Sequence, residues 1–178
     1  MNVLSTIRTL AVLFLIGHSL VAFPFTIEVT AEELQEKISK AMPYEVKRPF
    51  LTVVLSEPTL SLGADDSRLH IASTINVIVP GGISKTGRVK LNGPLAYDQT
   101  QSAFFLRDPV VDDLVVDKLQ DTLLPTIKGL TQTMASHIFA KHPVYVLKEE
   151  SFKANFAKRF LKRIDIQNAK LVLDFEIF

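Results

Sequence analysis

At 178 residues the chain has the length of one domain with one substantial core. A formal net charge of +1 gives no field that would recruit nucleic acid or acidic substrates, and the absence of cysteine excludes disulfides, thiolate metal sites and a cysteine nucleophile together. The apolar content of 47% is high for a soluble domain, and part of the excess sits at the N-terminus.

Residues 1–22 read as an export signal. Arg8 and the amino terminus supply positive charge, Thr9 to Val21 is apolar apart from Gly17, His18 and Ser19, and Ala22 is a small residue suited to cleavage. Leu20 is larger than usual for the minus-three position. A retained inner-membrane anchor is the alternative, although the uncharged span from Thr9 to Thr26 falls short of the roughly 20 residues a crossing helix needs. Residues 23–178 then read as a single domain. Phe25 to Val29 forms a short strand. Thr30 caps a helix, with Glu33 at the capping-box position and Val29 and Leu34 placed as a hydrophobic staple. That helix turns Leu34 and Ile38 inward and stops before Pro43.

Four strand-like runs follow. Phe50 to Leu62 is interrupted by Pro58, which suits an edge or a bulge. Arg68 to Val79 alternates Leu69, Ile71, Ile75, Val77 and Val79 with more polar neighbours, the pattern of a half-buried strand. Gly87 to Tyr97 and Ser102 to Val111 are weaker strands. Turn chemistry at Gly63-Ala-Asp-Asp66, Pro80-Gly-Gly82 and Tyr97-Asp-Gln99 bounds these runs and predicts an antiparallel meander.

From Val116 to Lys141 the period changes. Val116, Leu119, Leu123, Ile127, Leu130, Met134 and Ile138 recur in steps of three and four, which places them on one side of a helix. Leu124, Ala135 and Phe139 widen that face. Pro125 falls inside the run, and either bends one long helix or stands in the first turn of a helix starting near Leu123; the bend is preferred. Pro143 ends the helix, and Tyr145 and Leu147 belong to a short extended piece. Ser151 caps a third helix carrying Phe152, Phe156 and Phe160, and Lys170 to Phe178 closes the chain as a strand. The fold class expected is α+β: a curved antiparallel sheet wrapped around one long apolar helix, with two shorter helices.

Thr122-Leu-Leu-Pro125, the helix after it and Pro143-Val-Tyr-Val-Leu-Lys-Glu149 resemble the corresponding region of the YceB-like family of small bacterial periplasmic proteins and lipoproteins. The likeness extends from Phe25-Thr-Ile-Glu-Val-Thr-Ala-Glu-Glu33 through Ala103-Phe-Phe-Leu-Arg-Asp108 to Lys170-Leu-Val-Leu-Asp174, nearly the whole chain after the leader. It implies a fold similar to the tubular lipid-binding (BPI-like) proteins, and with it lipid binding in the periplasm. It supplies no catalytic residues. The cysteine that anchors lipoprotein members is absent, so lipid attachment by that route has no acceptor in this sequence.

The residues expected to line a hydrophobic ligand site are Leu119, Leu123, Ile127, Leu130, Met134 and Ile138, facing Ile71, Ile75, Val77 and Phe105. The same side chains would serve equally as a plug filling the sheet. A tunnel needs no polar motif, because an acyl chain of about sixteen methylenes at ~0.8 kcal/mol each supplies on the order of 13 kcal/mol before association costs. His137 and His142 are spaced by five, wrong for a metal pair on one helical face. Asp65 and Asp66 read as turn residues. Asp112, Asp113 and Asp117 read as favouring the positive end of the long helix. Pro80 to Lys85 lacks the pattern of a phosphate loop, and no Gly-x-Ser-x-Gly elbow occurs. No enzyme, cofactor or metal is therefore expected. The third helix mixes its phenylalanines with Lys153, Lys158, Arg159, Lys162 and Arg163. It would either dock on the sheet or rest on an anionic membrane through Lys158, Arg159 and Lys162. The remaining alternative for the whole chain is a structural module that contacts an envelope partner or membrane.

Overall fold

A computed structural model describes residues 23–63, 67–147 and 161–177. Strands dominate it. In chain order the elements are β1 (Phe23–Thr30), α1 (Ala31–Lys40), β2 (Tyr44–Arg48), β3 (Leu51–Leu62), β4 (Arg68–Val79), β5 (Ile83–Asp98), β6 (Ala103–Leu106), β7 (Val110–Val116), α2 (Leu124–Lys141), β8 (Tyr145–Val146), β9 (Leu161–Gln167) and β10 (Lys170–Ile177). They form two antiparallel sheets. One has three strands in the order β1-β10-β9; the other follows β2-β3-β4-β5-β6-β8, with β7 paired to β5. The larger sheet curls into a half-barrel.

The local chemistry accounts for the first helix. Glu33 N–H donates to the Thr30 hydroxyl at 3.3 Å and Thr30 N–H donates to the Glu33 carboxylate at 3.2 Å, completing the capping box. Val29 and Leu34 are both fully buried as the staple requires. The meander from β2 to β5 is as the turns predict. Pro58 marks a bulge, where the β3–β4 register shifts between Ser56 and Thr59. Gly81 and Gly82 both take positive φ at the β4–β5 hairpin.

Several expectations are corrected. The α+β class with two shorter helices gives way to a sheet-dominated fold in which α1 is the one shorter α-helix among the described residues. Most of the helix expected from Ser151, including Phe152, Phe156 and Phe160, lies outside those residues. Its final stretch is strand, because Ile164 and Ile166 restore a two-residue period as β9 runs alongside β10. The run Ser102–Val111 is two strands: β6 pairs with Leu95–Asp98 of β5, and β7 with Gly87–Asn92. Pro109, which has no N–H to give to a ladder, stands between them.

The long helix does not begin at Val116. That residue ends β7, opposite Gly87. A 3-10 turn at Asp121–Leu123 follows, and Pro125 sits in the first turn of α2. There the missing N–H has no intrahelical acceptor to lose, so the proline fits without a bend. Asp112 and Asp113 consequently belong to β7 rather than to a helix start: Asp112 accepts from Asn92, and Asp113 lies 3.9 Å from Lys90. At the other end His142 is extended (φ −111°, ψ 109°), as the residue before Pro143 must tend to be.

Candidate functional site

The concave side of the half-barrel and α2 make the candidate site. α2 contacts β2, at one edge of the larger sheet, and also β6 and β7, which both pair with β5. Both helices are tied to the sheet by a glutamine that imitates a strand. Gln132 of α2 accepts from Val111 N–H at 2.9 Å and donates to the Pro109 carbonyl. Gln35 of α1 accepts from Leu60 N–H at 2.7 Å and donates to the Pro58 carbonyl at 2.6 Å. Each carboxamide thus satisfies a carbonyl and an N–H two residues apart, at a proline where the ladder is broken.

Six of the ten expected lining residues come together in the apolar core. Ile127 and Ile138 are 0% exposed and Met134 1%; Ile71 is 1% exposed and Ile75 and Val77 0%. These six side chains are closed off from solvent. Leu119, Leu123 and Leu130 pack on the same cluster while half-buried, and Leu119 and Leu123 do so from the segment before α2. Phe105 is 8% exposed and stands outside that cluster; it lines a hollow of about 370 Å³ together with Leu106 of β6, Arg107 and, from α2, Ser136, Phe139 and Ala140. All four residues of β6 are buried, so both faces of this short strand are covered.

Sequence reasoning passed over two hydroxyls. Ser73, between Ile71 and Ile75 on β4, is 3% exposed, and Thr131 on α2 is 0% exposed; neither has a hydrogen-bond partner among the described residues. Their signal was visible as a polar residue interrupting each apolar face. A second open hollow, of about 580 Å³, lies over the smaller sheet. Phe25 and Phe175, stacked 4.8 Å apart, contribute to it, along with Lys162, Arg163, Asp174 and Glu176. The charges there pair off. Lys162 meets Glu176 at 2.5 Å and Arg163 meets Asp174 at 2.8 Å. Hydrogen bonds from Arg163 and Thr26 hold the Asp174 carboxyl below its ordinary range. Lys162 is therefore a paired strand residue rather than part of a helix, and Lys158 and Arg159 lie outside the described residues. Among the described residues no cluster of three or more His, Asp or Glu could hold a metal ion, and no helix is long and apolar enough to cross a membrane.

A family of proteins of unknown function, DUF1439, matches residues 29–170, which run from the end of β1 to the start of β10. The chain belongs to this family. Among relatives, the uncharacterized lipoprotein YceB of Salmonella typhimurium is 30% identical over 122 residues, 67% of this chain. The match spans 62% of that relative's length, less than two thirds. The expected YceB-like membership therefore holds, for a DUF1439 chain that contains no cysteine.

Proposed function

We propose that this DUF1439 chain is a non-enzymatic envelope protein that holds a lipid or another hydrophobic molecule between the curled sheet and α2. The carrying observation is the make-up of the concave side. Ile71, Ile75 and Val77 on β4 and Ile127, Met134 and Ile138 on α2 join one apolar cluster. Ser73 and Thr131 add two buried hydroxyls to it. A hydroxyl buried without a partner costs about 1–3 kcal/mol, so both are suited to meet a ligand's carbonyl or hydroxyl oxygen. In this reading α2 moves outward to admit the ligand, since the resting interior is closed. Envelope location is supported by the signal-like N-terminus and by the lipoprotein name of the relative.

The closed interior favours a second reading, a structural module whose helix fills the sheet and whose surface meets an envelope partner or membrane. Non-denaturing mass spectrometry on gently purified full-length chain separates the two. The ligand reading expects an adduct of lipid mass that Ala135→Trp, at a fully buried position of α2, removes. A bare chain that also fails to take up a fluorescent fatty acid would leave the module.

A further inference from the structure

We infer that the paired hairpin tips β2–β3 and β4–β5 form a docking surface for an anionic lipid bilayer. Two large apolar side chains stand out at these tips: Phe50 is 79% exposed and Ile83 55% exposed. The strand register brings them to one level. Thr52 pairs with Ile78, so the Pro49-Phe50 turn, two residues before Thr52, reaches the Pro80-Gly81-Gly82 turn, two residues after Ile78. The β4–β5 turn is open around its glycines, because a Cβ added at Gly81 or Gly82 would meet nothing within 4 Å.

Cations flank the apolar pair. Lys47 and Arg48 lead into the first turn and Lys85 leads out of the second, against Glu45 as the one carboxylate in residues 45–51 and 78–85. Exposed aromatic and aliphatic tips within a basic collar match a bilayer on both counts: the apolar groups enter the boundary with the acyl chains while the cations meet lipid phosphates. A soluble anion would use the cations but has nothing to offer Phe50. The opposite-end hairpin between β5 and β6, with Asp98, Gln99, Thr100 and Gln101, has neither property. This surface is separate from the groove under α2, and its use does not require a ligand there.

The absence of cysteine makes the test positional. Full-length Ile83→Cys carrying an environment-sensitive fluorophore is mixed with vesicles of phosphatidylcholine plus phosphatidylglycerol, and with vesicles of phosphatidylcholine alone. The same label on Gln99→Cys reports the opposite end. The expected result is a blue shift at position 83 only, on the anionic vesicles only, weakened by added salt. Phe50→Ser should lower partitioning roughly tenfold, and Arg48→Ala about fivefold, with the circular dichroism spectrum unchanged. No shift at position 83, an equal shift at position 99, or an equal response to neutral vesicles would each overturn the assignment, including the case in which the N-terminal segment alone carries the chain to the membrane.

Discussion

A methyl group at Gly87 would stand 2.0 Å from the Val115 carbonyl oxygen and 2.6 Å from the Val116 Cα. Both neighbours are backbone, so no rotamer change relieves the clash. Gly87→Ala should loosen β7 from β5 and lower stability by about 1–3 kcal/mol in urea denaturation, the range for overpacking. Gly129 in α2 offers the contrast. It is exposed, and nothing lies within 4 Å of the added methyl. Gly129→Ala should therefore raise stability by about 0.5–1 kcal/mol, since it gains helix propensity at no steric cost. Asp174 supplies the pH handle. Its folded pKa is depressed by hydrogen bonds from Arg163 and Thr26. Its contribution is therefore present above the ordinary carboxylate range of about 4 and lost as pH falls through the lowered folded value. Urea midpoints taken between neutral pH and about pH 3 should drop, and Asp174→Asn should remove part of that drop.

The two glutamine clamps are the connections most open to test between elements. Gln132→Leu leaves the Val111 N–H and Pro109 carbonyl without partners, and Gln35→Leu does the same at Leu60 and Pro58. Each should cost about 1–3 kcal/mol and speed hydrogen exchange at its own strand, Val111 in one case and Leu60 in the other. The two losses should add, because the clamps share no residues. Nothing in the sequence announces such clamps. A glutamine on a helix reads as a surface residue, and its partner is backbone set by tertiary placement. What was legible follows from local rules: the capping box at Thr30 and Glu33, the bounds of β4, and the hairpin at Gly81 and Gly82. The reading went wrong where one period imitated another. Val116, Leu119 and Leu123 happen to continue the spacing of α2 although they sit in a strand, a loop and a 3-10 turn. Phe156 and Phe160 extended a helical spacing towards residues that pair with β10. Of the residues expected to line the site, β4 and α2 delivered six core residues, while Phe105 is buried outside their cluster, a placement that no local spacing announces.

For the molecule as a whole, the closed state of the curl decides what binding would require. Ala135, Ile127 and Ile138 are inaccessible at rest, so a ligand that enters should stabilise a state in which α2 is displaced. Hydrogen exchange along α2 should then change on adding a fatty acid, while exchange in β4 stays slow; identical exchange in both conditions would go with a filled core. The pairing of β1 with β10, the first and last strands in chain order, bears on assembly as well. Phe23 lies opposite Ile177 and Thr30 opposite Lys170, with Lys170 joined to Glu28 and Asp174 to Thr26 across the same seam. As the chain leaves the ribosome, β1 has no partner until residues 170–177 have been made. The meander from β2 to β5 can form early from neighbouring segments, but closing the seam joins the ends of a loop of nearly the full described length and carries its entropy cost. The smaller sheet therefore closes only after residues 170–177 have been made, and its folding trails that of the meander.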